Sequence, residues 1–498
     1  MRFLTPQNGF ILVNIESRWL VLPMCTSLIA MPAFVMAASS NEAVTSTNGS
    51  RAVVASEIET LQAQERQLAL LIDQALQRDS GRQQIIAQSQ ATRHAGIASA
   101  TLSDPKLKVG FGGLPVDSFK FDEDPMTNIS VGLMQQFERG STLDLKERQS
   151  SQQADGIDLQ VAVREREITN TITTLWLELG YQQAVRSTLL ETRRLMVELE
   201  RFIETNYGIG NSEAQDLLNA QLNVAKFDEK LQANQQQQRR IIAQLSEWLG
   251  SDWLSSSQAN FATDTSQPSA QTQSVQASNA LSWQALEGQL QPYTGQSQYY
   301  ALLQSHPMVR AADTAITVNE TQVEIAEQAY LPQFGVEVMY AYRQANNMQG
   351  NPASDLVSAY VTMDIPLFTG NRQDKSVEAA QYQVGSARAQ KETLLSQMNA
   401  KVNALLVDRD NLSQRIERYQ NSFIPQADAT TKAVERGYQN NTAQFNDVIT
   451  AMTNALNIEL EQQRLITDLN IVNSQLAALV GGSYHQPSQS SKTTPQAQ

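Results

Sequence analysis

Gln333-Phe334-Gly335-Val336-Glu337-Val338-Met339-Tyr340-Ala341-Tyr342 alternates apolar with polar or small side chains. In an extended chain Phe334, Val336 and Val338 share one face and Glu337 lies on the other, with an aromatic end at Tyr340 and Tyr342. Three other segments follow the same rule: Lys106 to Gly112, Asn128 to Leu133, and Ser358 to Leu367. Strands are expected over about 106–113, 128–137, 333–342 and 358–367, near the length of a tilted membrane-spanning strand. They come as two pairs, each joined by a polar loop of roughly 15 residues. Pro366 then sits at a strand end, where no ladder donor is needed.

The sequence around these strands is helical. No proline occurs between Pro125 and Pro268, or between Pro425 and Pro487. Ile168, Ile172, Leu175 and Leu179 recur at coiled-coil spacing, and so do Leu395, Met398, Val402, Leu405 and Leu406, and Ile458, Leu465, Leu469 and Val472. Nothing forces a break from Ser141 to Asn206. At 1.5 Å per residue that helix would be roughly 100 Å long, which suits a rod and not a globule. Pro425 removes a backbone donor and is expected to kink the helix running to Tyr438.

The two halves read as a tandem duplication. Asp104-Pro105-Lys106 lines up with Leu331-Pro332-Gln333, and Phe137-Glu138-Arg139-Gly140 with Leu367-Phe368-Thr369-Gly370. Tyr207 followed by Asp216 to Ala220 lines up with Tyr438 followed by Asp447 to Ala451. The expected organisation is a first repeat over 38–253, a linker or equatorial region over 254–290, a second repeat over 291–482, and a disordered tail over 483–498.

The 498 residues carry 37 Lys and Arg against 51 Asp and Glu, a formal net charge of −14 that argues against a nucleic-acid partner. Residues 1–37 read as a signal peptide: Trp19 to Met36 is apolar but broken by Pro23 and Pro32, and Val35-Met36-Ala37 is a small-residue cleavage pattern. That leader takes with it the only cysteine, Cys25. His94, His306 and His485 have no metal-ligand spacing. With no cofactor signature, no resident metal site and no nucleophile-base pairing, an enzyme is not expected.

A soluble four-stranded sheet could alternate in the same way, but narrow-seamed rods offer no broad apolar face to cover it. In lipid, strands survive only in a closed barrel. Four strands are too few, and three copies would supply twelve. Leu107, Val109, Phe111, Ile129, Val131, Leu133, Phe334, Val336, Val338, Val361 and Ile365 would face lipid. Lys106, Lys108, Asn128, Ser130, Glu337, Thr362 and Asp364 would line a wet lumen, and Tyr340, Tyr342 and Tyr360 would form an interfacial aromatic belt.

On this layout, on the strand-to-helix turns Gln136 to Gly140 and Pro366 to Gly370, and on the hairpin segments Asn206 to Asn211 and Arg436 to Thr442, the chain resembles the TolC-type outer-membrane factors. The resemblance implies a mainly α protein with a β-barrel: a long α-helical barrel plus four strands of a shared, homotrimeric, 12-stranded transmembrane β-barrel. It implies a passive exit duct in the Gram-negative outer membrane with a periplasmic extension, working with a periplasmic adaptor (membrane fusion protein) and an RND-type inner-membrane pump. It also places Asp447, and Asp216 in the first repeat, at the periplasmic aperture, with Thr450 where the family has a further acid. Three copies of Asp447 around one axis would attract cations, although a helix-start carboxylate favoured by the helix dipole is the plainer account. Tyr207, Gly208, Gly210, Tyr438, Asn440 and Asn441 fall on the adaptor-docking helix tips, with Gly208, Gly210, Asn440 and Asn441 expected to make the turns.

Leu114 to Thr127 resembles the first external loop of the heavy-metal, CzcC/CusC-like branch, which leans the cargo toward metal cations. Met126, Met134, Met339, Met348 and Met363 lie near the barrel but read better as apolar filler than as soft-metal ligands. Drug efflux, type I protein secretion and a structural coiled-coil scaffold are the alternatives.

Overall fold

The computed structural model describes residues 45–210, 212–255, 275–440 and 442–482. The expected signal peptide over 1–37, the expected tail over 483–498, residues 256–274 of the expected linker, and Asn211 and Asn441 lie outside the described residues. The chain divides into residues 1–57 and residues 58–498. Helix α1 spans Thr45–Arg78, and everything discussed below lies in the second unit.

After α2 (Ser80–Ser99) come β1 (Lys106–Gly112) and β2 (Asn128–Gln136), then α3 (Thr142–Gly208) and α4 (Ala214–Leu249). Three short or intermediate helices follow: α5 (Gln284–Leu290), α6 (Tyr300–Leu303) and α7 (Pro307–Glu327). Strands β3 (Gln333–Tyr342) and β4 (Leu356–Asp364) lead into α8 (Gln373–Arg418), α9 (Ile424–Gln439) and α10 (Phe445–Val480). Helix α3 runs for 67 residues without interruption. Helix α8, a π turn at Tyr419–Phe423 and α9 together match that length, and α4 and α10 have 36 residues each. The ends match as well: Gly250 N–H donates to Ser246 O and Gly481 N–H to Ala477 O, both at 2.9 Å.

Two long columns organise the helices. In the half nearer the sheet, α2 and α7 pack on α3, and α8 packs on α7. In the half farther from it, α4 and α10 take those places, with α9 beyond α10. The expected seams lie in these contacts. Ile168, Ile172 and Leu179 are buried with Trp176, Leu68, Ile72 and the end of α4, while Leu175 packs at the rim. Met398, Val402 and Leu405 are buried against Trp283, Leu286 and the end of α10. Each such side chain contributes about 1.5–3 kcal/mol on burial. Trp283 Nε1 donates to the buried Asn470 Oδ1 at 2.7 Å, so the one polar edge of that indole is satisfied.

Proline 425 acts differently from a plain kink. The π turn Tyr419–Phe423 precedes it, and α9 restarts at Ile424 with the proline in its first turn. The missing donor therefore falls where a helix start needs none, and the extra residue of the π turn absorbs the defect.

The sheet is a single antiparallel meander in the order β1-β2-β3-β4, with β1 and β4 as its edges. Strand β4 begins and ends earlier than expected, so Pro366 lies beyond it in the link to α8. No helix among the described residues is long and apolar enough to cross a membrane.

Candidate functional site

The sheet's register sorts its side chains cleanly. Leu107, Leu133, Val338 and Ala359 form one cross-strand row, and Val109, Val131, Tyr340 and Val357 another. Phe111, Ile129 and Tyr342 continue the same face. The opposite face carries Lys108, Gly132, Met339 and Ser358 in one row, and Lys106, Met134, Glu337 and Tyr360 in the next. Tyr360 is thus opposite Glu337 on the polar face, not in a belt with Tyr340 and Tyr342. Its neighbour Val361 takes the apolar face because the two alternate, and only one of them can.

Burial on the two central strands is inverted. Along β3 the apolar residues Phe334, Val336, Val338, Tyr340 and Tyr342 are exposed, while Gly335 and Ala341 are buried and Glu337 and Met339 half-buried. Strand β2 repeats the pattern, with Ile129, Val131 and Leu133 exposed and Gly132 buried. A water-soluble sheet covers its apolar face; the central strands β2 and β3 instead cover the opposite one, while the edge strands β1 and β4 are exposed on both faces almost throughout.

Lys108 Nζ lies 2.6 Å from Glu337 Oε2, whose side chain is 16% exposed. Asp364 forms an ion pair with Arg139 in the turn after β2, and Arg139 also donates to Ala329 O at 2.8 Å. The expected lumen residues Lys106, Lys108, Glu337 and Asp364 therefore share one face. Arg343 ties the two loops at the far end of the sheet, donating to Ser354 O at 2.7 Å and to Pro125 O at 3.3 Å. Among the described residues, no group of three or more His, Cys, Asp or Glu side chains could hold a metal ion.

At the other end of α3 the hairpins α3–α4 and α9–α10 meet. Ile203, Ala220 and Phe445 are buried together, with Leu217 and Tyr438 packed against them. The Tyr438 ring stands 6.3 Å from both Phe202 and Phe445. The turns meet the expectation at Gly210 and depart from it at Gly208 and Asn440, while Asn441 lies outside the described residues. Gly210, with φ of 80°, supplies the left-handed residue, whereas Gly208 closes α3. Asn440 keeps φ of −95°, and the second turn is built on the Gly437 carbonyl, which accepts from Thr442 N at 2.8 Å and Ala443 N at 3.2 Å. Tyr207 is exposed.

Asp447 and Thr450 are exposed in the first turns of α10, and Asp216 is half-buried at the start of α4. Asp447 completes a capping box: its Oδ2 accepts from Gln444 N at 2.9 Å. Sequence reasoning did not find the aromatic tip cluster or the ion pair of Glu178 on α3 with Arg464 on α10. Their partners lie in different repeats, and no local spacing announces them.

Residues 298–482 match the family described as outer membrane efflux protein. Among solved structures, the outer membrane protein VceC of Vibrio cholerae is similar with a TM-score of 0.65 and 16% identity, over 85% of this chain and 98% of that one. The CmeC outer membrane channel of Campylobacter jejuni is similar at 0.63 and 14%, over 84% and 86%. CusC, described in terms of transmembrane channel formation, is similar at 0.62 and 15%, over 84% and 92%. No curated protein matches in sequence. These structures share the arrangement found here, a small antiparallel sheet set on long paired helices. Residues 298–482 carry the likeness to that family, and over most of its length the chain has the fold of these solved structures.

Proposed function

We propose that three copies of this chain close a 12-stranded barrel in the outer membrane and a helical conduit beneath it, forming the passive exit duct of a tripartite efflux system. The inverted burial of β2 and β3 carries this reading: an exposed apolar face needs lipid, and the free backbone edges of β1 and β4 need partners there. The edge strands sit above edge columns, β1 after α2 and β4 before α8, so one operation that joins β1 to β4 also joins helical columns. The hairpin tips at Tyr207 to Gly210 and Tyr438 to Asn440 offer the surface for a periplasmic adaptor and its RND-type pump. Asp447, with Asp216 and Thr450 beside it, frames the aperture.

The cargo reading is heavy-metal cation export, supported by the likeness of the Leu114 to Thr127 loop to that branch, with drug efflux or protein secretion as the second reading. Spin labels in lipid bilayers test the sheet assignment. A label at Val338→Cys should be relaxed by oxygen, and one at Glu337→Cys by a water-soluble nickel chelate. The reverse pattern contradicts the proposal. Deletion cells should become sensitive to metal salts; sensitivity to dyes or drugs alone would select the second reading.

A further inference from the structure

The polar face of the sheet is graded along its length. Toward the loops, Gly112 faces Asn128, and the next row holds Gly110, Ser130, Ala341 and Leu356, all uncharged. The two rows below it hold Lys108, Lys106 and Glu337. Lys108 satisfies Glu337 at 2.6 Å, reaching past Gly132, where no side chain intervenes. Lower still, Asp364 is held by Arg139.

That leaves Lys106. It stands in the Glu337 row two strands away, roughly 10 Å at ordinary strand spacing, and no hydrogen bond or ion pair reaches it among the described residues. Closure of the barrel does not supply a partner. The strand that would lie beside β1 is β4 of a second copy, whose polar face offers Leu356, Ser358, Tyr360, Thr362 and Asp364. Its only acid is the one Arg139 already binds.

We propose that Lys106 and its symmetry copies form a net positive belt in the barrel lumen, a specificity-determining ring that favours anionic and neutral cargo over free cations. The proposal rests on the closed-barrel reading above. Each copy brings two lysines and one glutamate to the belt, so the surplus repeats around the axis and its fields add. The belt lies at the opposite end of the conduit from Asp447. A metal cation would then leave more readily as an anionic or neutral complex than as the bare ion.

The test is the reversal potential of the full mature protein in planar bilayers across a KCl gradient. It is run near 10 mM, where the Debye length is about 30 Å, and again near 1 M, where it is about 3 Å. Lys106→Gln should raise the cation-to-anion permeability ratio about twofold in dilute salt, and Lys106→Glu should raise it further. Lys106→Arg should match wild type, and all differences should vanish in concentrated salt. Asp447→Asn, measured beside them, should move the ratio the other way. Conducting wild-type pores with an unchanged ratio in both the Gln and Glu variants would overturn the belt. Absence of any wild-type pore would instead overturn the closed barrel, and the belt with it.

Discussion

Arg464 on α10 donates two hydrogen bonds to Glu178 on α3, at 2.8 and 2.9 Å, and so joins the two repeats in the middle of the rod. Asp468 takes a further bond from the same guanidinium, which also lies 5.2 Å from the centre of the Tyr181 ring. The planar fork matches both the carboxylate and the ring, as a lysine ammonium does not.

Arg464→Ala should therefore lower stability by about 1–3 kcal/mol, the range for hydrogen bonds to charged groups in a partly covered site. Arg464→Lys should recover less than half of that loss. Thermal unfolding followed by circular dichroism measures both. Equal stability of Ala, Lys and wild type would show that the fork contributes nothing.

Asp447 combines two roles that substitution can separate. Asp447→Ala removes the capping-box acceptor for Gln444 N, at a cost of about 0.5–2 kcal/mol, and also removes the charge. Asp447→Asn keeps an acceptor oxygen without the charge. Both variants should weaken channel block by trivalent cations, and the Ala variant, which loses the capping acceptor as well as the charge, should lower the melting temperature more than the Asn variant. Block unchanged in both would leave Asp447 as a cap alone.

Phe445 is 2% exposed between the two hairpins. Phe445→Ala should cost about 3–5 kcal/mol locally and part the tips. Limited proteolysis should then cut near residues 208–213 and 440–444 well before the rest of the chain. Cleavage at the wild-type rate would contradict the lock.

His306 caps α7, its Nδ1 accepting from Met308 N at 3.1 Å. Burial first, and then the charge of Arg166, push its pKa down to about 4, against a hydrogen bond with the Ala478 backbone that acts the other way. Between the ordinary 6.5 and about 4, the unfolded chain binds a proton that the folded chain does not. Stability is thus full above pH 6.5, declines as pH falls to about 4 and is flat below, a total on the order of 3 kcal/mol. His306→Asn keeps a capping acceptor and should flatten that decline in urea titrations between pH 7 and 4. A decline as steep as wild type would assign it to other groups.

The strands, their pairing into two hairpins and the long helices were legible because each has a period that sequence carries locally: two for strands and about 3.5 for the seams. The phase of β4 was not. Tyr360 and Val361 are both large and apolar enough for lipid, and only pairing with β3, which sets Tyr360 against Glu337, decides between them. Pro425 announced a lost donor but not its remedy, since a π turn has no residue signature of its own. At the tips, Gly210 was readable from glycine's chemistry. The Gly437 carbonyl was not, because any residue has one. Lys106 and Lys108 looked alike in sequence, and the reach of Lys108 to Glu337 makes them different.

Sister subunits complete what one chain leaves open. Native mass spectrometry of the detergent-purified mature protein, with unheated and boiled samples compared on SDS gels, tests this most directly. Three chains per particle, and a band that collapses to one chain only on boiling, are predicted. A single chain that stays monodisperse in detergent-free buffer would contradict the account.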